Sequence, residues 1–297
     1  MSVAAAMVLC AGLGTRLRPL TEWLAKPMVP IGDRPAVQHI VDHLRAAGVA
    51  RIVVNVHHRA DDLVAWARPA GVAVSTEPVL LGTAGGIAQA TSLLGEGDVL
   101  VWNGDILARP HLADLIAAHR SKATLAITPR PAGEGNVGVG SGGRIVRLRK
   151  ETFVDRLGTE IVGGDFTGIH VVGAVLRAKL PSSGCIVGDV YLPALRDGER
   201  LEAHVLEGDF TDVGSLAAYV AANRAWLAAL EGLGGARSWS APSAVVHASI
   251  EGSIIGAAAR IEADTTRCIV WPGAIVREAI SDAIVTPSGT VPILAPA

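Results

Sequence analysis

The sequence predicts a doubly wound α/β protein that ends in a short parallel β-helix. Three observations carry the prediction. Through about the first 130 residues, short apolar runs alternate with segments of helical period. Those runs are almost continuously hydrophobic, as strands buried on both faces of a parallel sheet are. Beyond about Ser238 the helical period disappears and aliphatic residues recur six apart.

Taken in order, residues 3–10, 51–56, 72–76, 98–102 and 123–128 read as strands. Between the first two, Val37, Ile40, Val41 and Leu44 stand at i, i+3, i+4 and i+7 of a helix over 33–48, with Pro35 near its start and Gly48 closing it. Further helices are expected at 60–68, 84–94 and 111–119. Repeated strand–helix–strand units imply right-handed crossovers and a doubly wound sheet, whose ligands sit at the carboxyl ends of the strands. After about Ser141 the spacing loosens: strands are expected at 143–148, 168–172 and 201–206, then a helix at 214–230 and a flexible stretch at 231–235. In the tail, Ile255 and Ile261, Val270 and Val276, and Val285 and Val291 are each six apart, with small residues, Gly, Pro and Asp between. One inward aliphatic per six residues marks a hexapeptide β-helix, and an irregular β-rich tail is the alternative, because Arg267 stands where the aliphatic series would continue. The chain is thereby divided into residues 1–235 and 236–297.

Composition removes several classes of function. Half of the 297 residues are hydrophobic, which argues against disorder and against a coiled coil. With only 6 Trp, 2 Tyr and 3 Phe, the core must be built from Ala, Val, Leu and Ile, and 34 Gly with 16 Pro imply many turns. The formal charge is −2 with no basic run, so a nucleic-acid surface is not expected. Cys10, Cys185 and Cys268 are too few and too far apart for a disulfide framework or a zinc pattern, which suits a reducing cytoplasm. No apolar run approaches the roughly 18 residues of a membrane helix. Residues 3–11 imitate a signal-peptide core but lack a basic segment before it, and a buried first strand accounts for them.

The strongest chemical signal is Leu9-Cys10-Ala11-Gly12-Leu13-Gly14-Thr15-Arg16-Leu17-Arg18-Pro19-Leu20-Thr21, followed by Lys26-Pro27. A strand runs into a glycine turn whose bare backbone N–H groups can approach a phosphate, and Arg16 and Lys26 put fixed positive charge beside it. It is neither a Walker A loop, since no Gly-Lys-Ser/Thr follows, nor a GxGxxG turn, since Arg16 and Leu17 follow Gly14. His57-His58 does not make a metal pair, because adjacent residues at a strand end point to opposite faces.

That string resembles the nucleotide-binding signature of the sugar-1-phosphate nucleotidyltransferases. The family's later landmarks follow in order: Glu77-Pro78 before Leu81-Gly82-Thr83-Ala84-Gly85-Gly86, then Asn103-Gly104-Asp105, Thr167-Gly168-Ile169, and Asp209-Phe210-Thr211-Asp212-Val213-Gly214 before a helix. The resemblance covers about residues 3 to 230. It implies the family's Rossmann-like mixed sheet, and the tail resembles the left-handed β-helix that many members append. The chain looks most like the mannose-1-phosphate guanylyltransferases, with uridylyltransferases of the muramate type and heptose-phosphate guanylyltransferases as rivals.

The resemblance implies in-line attack of a sugar-1-phosphate oxygen on the α-phosphorus of a nucleoside triphosphate, with loss of pyrophosphate. A phosphate oxygen is already an anion, so cations and a metal are expected rather than a general base. Arg16 and Lys26 resemble the catalytic cations, and Asp105 and Asp212 the carboxylates that hold Mg²⁺. For an isolated Asp, a turn or helix cap would be the ordinary explanation. Leu9, Ala11, Gly12, Gly14, Thr15, Glu77, Gly82, Thr83 and Asn103 are expected at the nucleotide, and Gly138, Lys150 and Thr167 at the sugar phosphate. Around Lys150 the chain reads Arg149-Lys150-Glu151 where the family reads Glu-Lys-Pro, so the acid before the lysine is missing. The Gly-Thr-Ala-Gly loop resembles guanylyltransferases, although backbone readout leaves uracil open. A silent homologue that senses the sugar nucleotide is a rival of another class, opposed by the intact Arg16, Lys26, Asp105 and Asp212. An acyltransferase is opposed by a tail whose one histidine is His247. The partners expected are small molecules and, through the tail, further copies of the chain.

Overall fold

The continuous apolar runs become the central strands of one ten-stranded sheet. In the computed structural model, which describes residues 3–208, 210–231 and 238–294, five strands fall where the period placed them. These are β1 (Ala5–Leu9), β2 (Arg51–Val56), β3 (Ala73–Thr76), β4 (Val99–Asn103) and β5 (Ala123–Arg130). The others are β6 (Val137–Val139), β7 (Ile145–Leu148), β8 (Glu151–Thr152), β9 (Val162–Val172) and β10 (Glu202–Val205). The order is β8-β7-β6-β9-β4-β1-β2-β3, with β5 beside β9 and β10 beside β5. Strands β4, β1, β2 and β3 are parallel, whereas β9 runs antiparallel to β4, β5 and β6. The sheet is therefore mixed: the parallel block suggested by continuous hydrophobicity ends at β4, and beyond antiparallel β9 only β10 runs parallel to its neighbour, β5. Burial on both faces makes a run apolar whatever the direction of its neighbour.

Helices α1 (Ala36–Ala46), α2 (Ala60–Ala67), α3 (Gly82–Gln89) and α4 (Leu112–Ala118) follow the expected segments. The single helix expected over 84–94 is instead α3 and a separate turn, Thr91–Leu94. Strand β9 is longer than the expected 168–172. Its first half escapes an apolar pattern because Gly163 and Gly164 have no room for a side chain: the carbonyls of Glu134 and Pro131 stand against one, and the Ile127 side chain and Thr128 carbonyl against the other. The stretch at 231–235, apart from Glu231 at the end of a helix, and Asp209 lie outside the described residues.

By packing, the chain falls into two units, Met1–Gly12 with Ile40–Phe210, and Leu13–His39 with Thr211–Ala297. These packing units differ from the two segments, 1–235 and 236–297, into which periodicity divides the sequence. The first unit holds the ten-stranded sheet. In the second, helix α5 (Leu216–Glu231) joins the segment 13–39 to the tail. Asn223 on α5 accepts from Gly32 N at 2.9 Å, and Tyr219 OH accepts from Trp271 Nε1 at 2.8 Å. Trp226 meets Trp239 edge to face at 5.2 Å, so aromatic residues concentrate on this helix.

The tail stacks two-residue strands in parallel, each coil fifteen residues long: Trp239 pairs with Ile254, Ile254 with Ile269, and Ile269 with Ile284. Ile255, Ile261, Val270 and Val276 are buried between the coils, as the six-residue spacing predicts. That spacing joins neighbouring sides of one coil and is not a uniform period. Arg267 breaks the series because it turns a corner in the left-handed region (φ 53°), as do Gly252 (φ 61°) and Asp282 (φ 49°) fifteen residues to either side. Arg267 and Asp282 pair across successive corners, Nε to Oδ1 at 2.8 Å. The Val285–Val291 spacing belongs to an antiparallel hairpin, Ala283–Thr286 against Gly289–Pro292, and not to another coil.

Candidate active site

The carboxyl edge of the sheet brings together four of the segments singled out by sequence. Leu9 at the end of β1 pairs with Asn103 at the end of β4. Cys10 and Ala11 follow, buried, and then Gly12, exposed and with open space where a Cβ would stand. Gly104 N donates to Leu9 O at 2.9 Å, and a Cβ on Gly104 would lie 2.8 Å from both that oxygen and Cys10 Sγ. The turn carrying half-buried Asp105 is thus held against the end of β1. Burial pushes the Cys10 thiol far up, and the Asp105 charge adds to it.

Beside this turn, the small-residue loop at the start of α3 is clamped from two directions. Glu77, 2% exposed, accepts from Asn55 Nδ2 at 2.7 Å and from Leu81 N at 3.1 Å. His57 Nδ1 lies 2.9 Å from Glu77 O, which accounts for one half of the histidine pair, while His58 is exposed. On its other side the loop is zipped to residues 184–186. Ala84 N donates to Gly184 O at 2.9 Å, Gly184 N to Leu81 O at 2.7 Å, and Ile186 N to Thr83 Oγ1 at 2.7 Å. Gly82 is left-handed (φ 73°), and Gly85 admits no Cβ because Ser182 O would lie 2.6 Å away.

Within the second unit, the spacing from Gly14 to Thr21 to Lys26 has a steric reason. Gly14 is left-handed (φ 64°), and a Cβ there would lie 2.7 Å from Thr21 Cγ2 and 3.1 Å from Lys26 Cβ. Thr21 Oγ1 and Leu17 N both donate to Gly14 O at 2.9 Å, fixing the turn. Thr15 and Arg16 are exposed and Lys26 is half-buried. The Arg16 guanidinium stands 3.8 Å from the Asp212 carboxylate. Asp212 does not cap α5: Ser215 Oγ accepts from Ala218 N at 3.2 Å.

The expected sugar-phosphate residues are less alike. Gly138 lies in β6, between Arg147 of β7 and Gly163 of β9. Thr167 is buried and its hydroxyl is engaged inside the sheet, donating to Ala126 O at 2.9 Å and accepting from Ile169 N at 3.2 Å. Lys150 is exposed in the turn between β7 and β8. Its neighbour Arg149 is left-handed (φ 56°) and donates to Cys185 Sγ at 3.2 Å. Burial alone would raise the Cys185 thiol, but the Gly188 amide and the Arg149 guanidinium outweigh it and lower the pKa. Sequence reasoning missed Asn55, and the signal was an amide interrupting the apolar run of β2. Among the described residues no three His, Cys, Asp or Glu side chains converge on a metal position, and no helix is long and apolar enough to cross a membrane.

A mixed α/β sheet with a bare glycine turn, a small-residue loop and an acidic turn along one carboxyl edge defines an α/β protein of the class whose ligands sit at the carboxyl ends of the strands. The chain belongs to the family described as Nucleotidyl transferase, which it matches over residues 5–229. Mannose-1-phosphate guanyltransferase of Aspergillus fumigatus is 33% identical over 223 residues, covering 70% of this chain and 60% of that protein. The Schizosaccharomyces pombe enzyme of the same name is 32% identical, covering 76% and 65%. The chain thus spans less than two thirds of the length of these relatives. Among solved structures, HddC of Yersinia pseudotuberculosis in complex with GMP-PN aligns with a TM-score of 0.62 at 21% identity, covering 75% of this chain and all of that one. UDP-glucose pyrophosphorylase of Acinetobacter baumanii aligns with 0.60 at 20%, covering 76% and 93%. Both share the fold. Enzymes of this family typically use a divalent metal, and small-molecule substrates, a nucleoside triphosphate and a sugar phosphate, are consistent with membership.

Proposed function

We propose that this chain transfers GMP from GTP to mannose-1-phosphate, releasing pyrophosphate and forming GDP-mannose. The observation that carries the reading is the placing of a tight turn, Cys10–Gly12, with Gly12 exposed, and a small-residue loop, Leu81–Gly86, on one carboxyl edge of the sheet. The guanyltransferase likeness supports the choice of base and sugar.

In the proposed reaction an anionic oxygen of the sugar phosphate forms a bond to the α-phosphorus of GTP as the bond to the pyrophosphate oxygen breaks. The nucleophile carries no proton, so the protein's work is positioning and charge neutralisation. The backbone of Leu9, Ala11, Gly12, Gly14 and Thr15 cradles the nucleotide, and Arg16 and Lys26 neutralise its outer phosphates. Gly82, Thr83 and Asn103 meet the nucleoside, with Glu77 behind them. Gly138, Lys150 and Thr167 line the sugar-phosphate side, Thr167 through its backbone, since its hydroxyl is engaged. Asp105 and Asp212 offer the hard carboxylate oxygens that Mg²⁺ takes, and Asp212 keeps Arg16 at 3.8 Å rather than in a close hydrogen bond. A magnesium ion held there would offset charge on the triphosphate and the departing pyrophosphate. Residues 1–235 carry the reaction, residues 236–297 assemble copies of the chain, and the enzyme works in the cytoplasm.

The test is pyrophosphate release from GTP, UTP, ATP and dTTP, each offered with mannose-, glucose- and heptose-1-phosphates and muramate-type sugar phosphates. GTP with mannose-1-phosphate should give the highest kcat/KM by at least about tenfold. Equal or higher rates with another pair would replace this substrate assignment.

A further inference from the structure

Between the end of β1 and the start of α3 runs a chain of buried side-chain hydrogen bonds that no phosphate or base contact requires. Asn55 on β2, 3% exposed, accepts from Cys10 N through Oδ1 at 2.7 Å. Its Nδ2 donates to Glu77 Oε1 at 2.7 Å, and Glu77 Oε2 accepts from Leu81 N at 3.1 Å. The order is backbone, amide, carboxylate, backbone, with a donor matched to an acceptor at each step. It begins at the turn assigned to the phosphates and ends at the loop assigned to the base. Gly86 lets the helix settle onto it: a Cβ there would lie 2.7 Å from Glu77 Oε1 and 2.8 Å from Asn55 Nδ2, splitting the pair. The bridge is inside the protein: Glu77, expected from the sequence at the nucleotide, is buried with one oxygen engaged by Asn55 and the other by Leu81.

We infer that Asn55 and Glu77 are positioning residues: their buried bridge sets the spacing between the phosphate turn and the base-reading loop and so the length of nucleotide the site accepts. The inference rests on the nucleotide reading above. A ligand that touches both loops depends on that spacing, whereas one that touches a single loop does not. Glu77→Gln presents either an amide to Leu81 N or an amide to Asn55 Nδ2, two donors facing each other in both cases. Asn55→Asp sets a carboxylate against Glu77. The double variant N55D/E77Q reverses the polarity of the central bond and pairs every group again: the carboxylate at 55 accepts from Cys10 N and from the amide at 77, whose oxygen accepts from Leu81 N.

The experiment measures binding of GTP, guanosine and tripolyphosphate by calorimetry, and KM and kcat for GTP and UTP, in the full chain, the two single variants and the double variant, with melting curves for each. Each single variant should weaken GTP binding between about fivefold and a hundredfold, the effect of one orphaned buried group. Guanosine, which carries no phosphate, and tripolyphosphate, which carries no base, should each change by less than about threefold, and N55D/E77Q should recover GTP binding to within about threefold of the parent. Equal loss for all three ligands, or no recovery in a folded double variant, would overturn the bridge and make the pair a plain fold element. Parent protein that binds GTP beside single variants that bind it unchanged would overturn the bridge alone. A parent that binds no nucleoside triphosphate would overturn the nucleotide reading itself, and this inference with it.

Discussion

The Arg16 guanidinium and the Asp212 carboxylate face each other across 3.8 Å, with 70% and 50% of their side chains in solvent. A pair so exposed contributes little to stability. Its members can therefore be changed without unfolding the chain, and their effects on turnover are readable.

Asp212→Asn and Asp105→Asn each remove a negative oxygen donor from the proposed magnesium site. Turnover should fall by at least about a hundredfold, comparable to loss of one electrostatic stabiliser elsewhere. The melting temperature of Asp212→Asn should stay within about 2 °C of the parent, as expected for an exposed pair. Mn²⁺ titration followed by electron paramagnetic resonance should show weaker binding in both variants. Near-parental turnover in either folded variant would remove that residue from the metal assignment.

Arg16→Ala tests a different term. Negative charge grows on the departing pyrophosphate as the bond breaks, so Arg16 should act more on the transition state than on bound GTP. Steady-state kinetics should show a large fall in kcat with a change in KM of no more than about threefold. An effect confined to KM would reduce Arg16 to a ground-state contact.

His170 makes acid stability a local question. It is fully buried on β9, neither ring nitrogen has a partner among the described residues, and burial lowers its pKa from 6.5 to about 3. Between those two values the unfolded chain binds a proton that the folded chain refuses. Stability should therefore fall with pH below about 6.5 and down to about 3, by as much as about 1.4 kcal/mol per pH unit. Burial lowers His119 as well, with the same sign. His170→Leu should flatten this slope and remove two orphaned polar atoms. Urea unfolding at pH 7 and pH 5 measures it, and identical slopes in parent and variant would refute the assignment.

Removing residues 238–297 would take Trp239 and Trp271 away from Trp226 and Tyr219 on α5. The melting temperature should fall by at least about 5 °C, and the mass in solution should change if the tail assembles copies. Turnover per folded chain should persist, since no proposed phosphate, metal or base residue is lost. Unchanged mass and melting with abolished turnover would place the tail in the active site instead.

What the sequence by itself determined was local. Five strands and five helices follow from period, and the glycine turn from residues that only a bare backbone allows, because sterics and apolar spacing act between near neighbours. Gly14, Thr21 and Lys26 stand in one readable string for the same reason: Thr21 and Lys26 leave no room for a Cβ at Gly14. Tertiary structure decided what depends on distant partners. Asn55 looks like a flaw in an apolar strand until β3 brings Glu77, 22 residues on, within 2.7 Å. Strand β9 gains its first six residues only because β5 and β6 flank its glycines. The six-residue spacing in the tail becomes a fifteen-residue coil because stacking requires each corner to meet the corner of the next turn, as Arg267 meets Asp282. A buried donor must find an acceptor wherever the chain supplies one, and only the folded chain shows which acceptor that is.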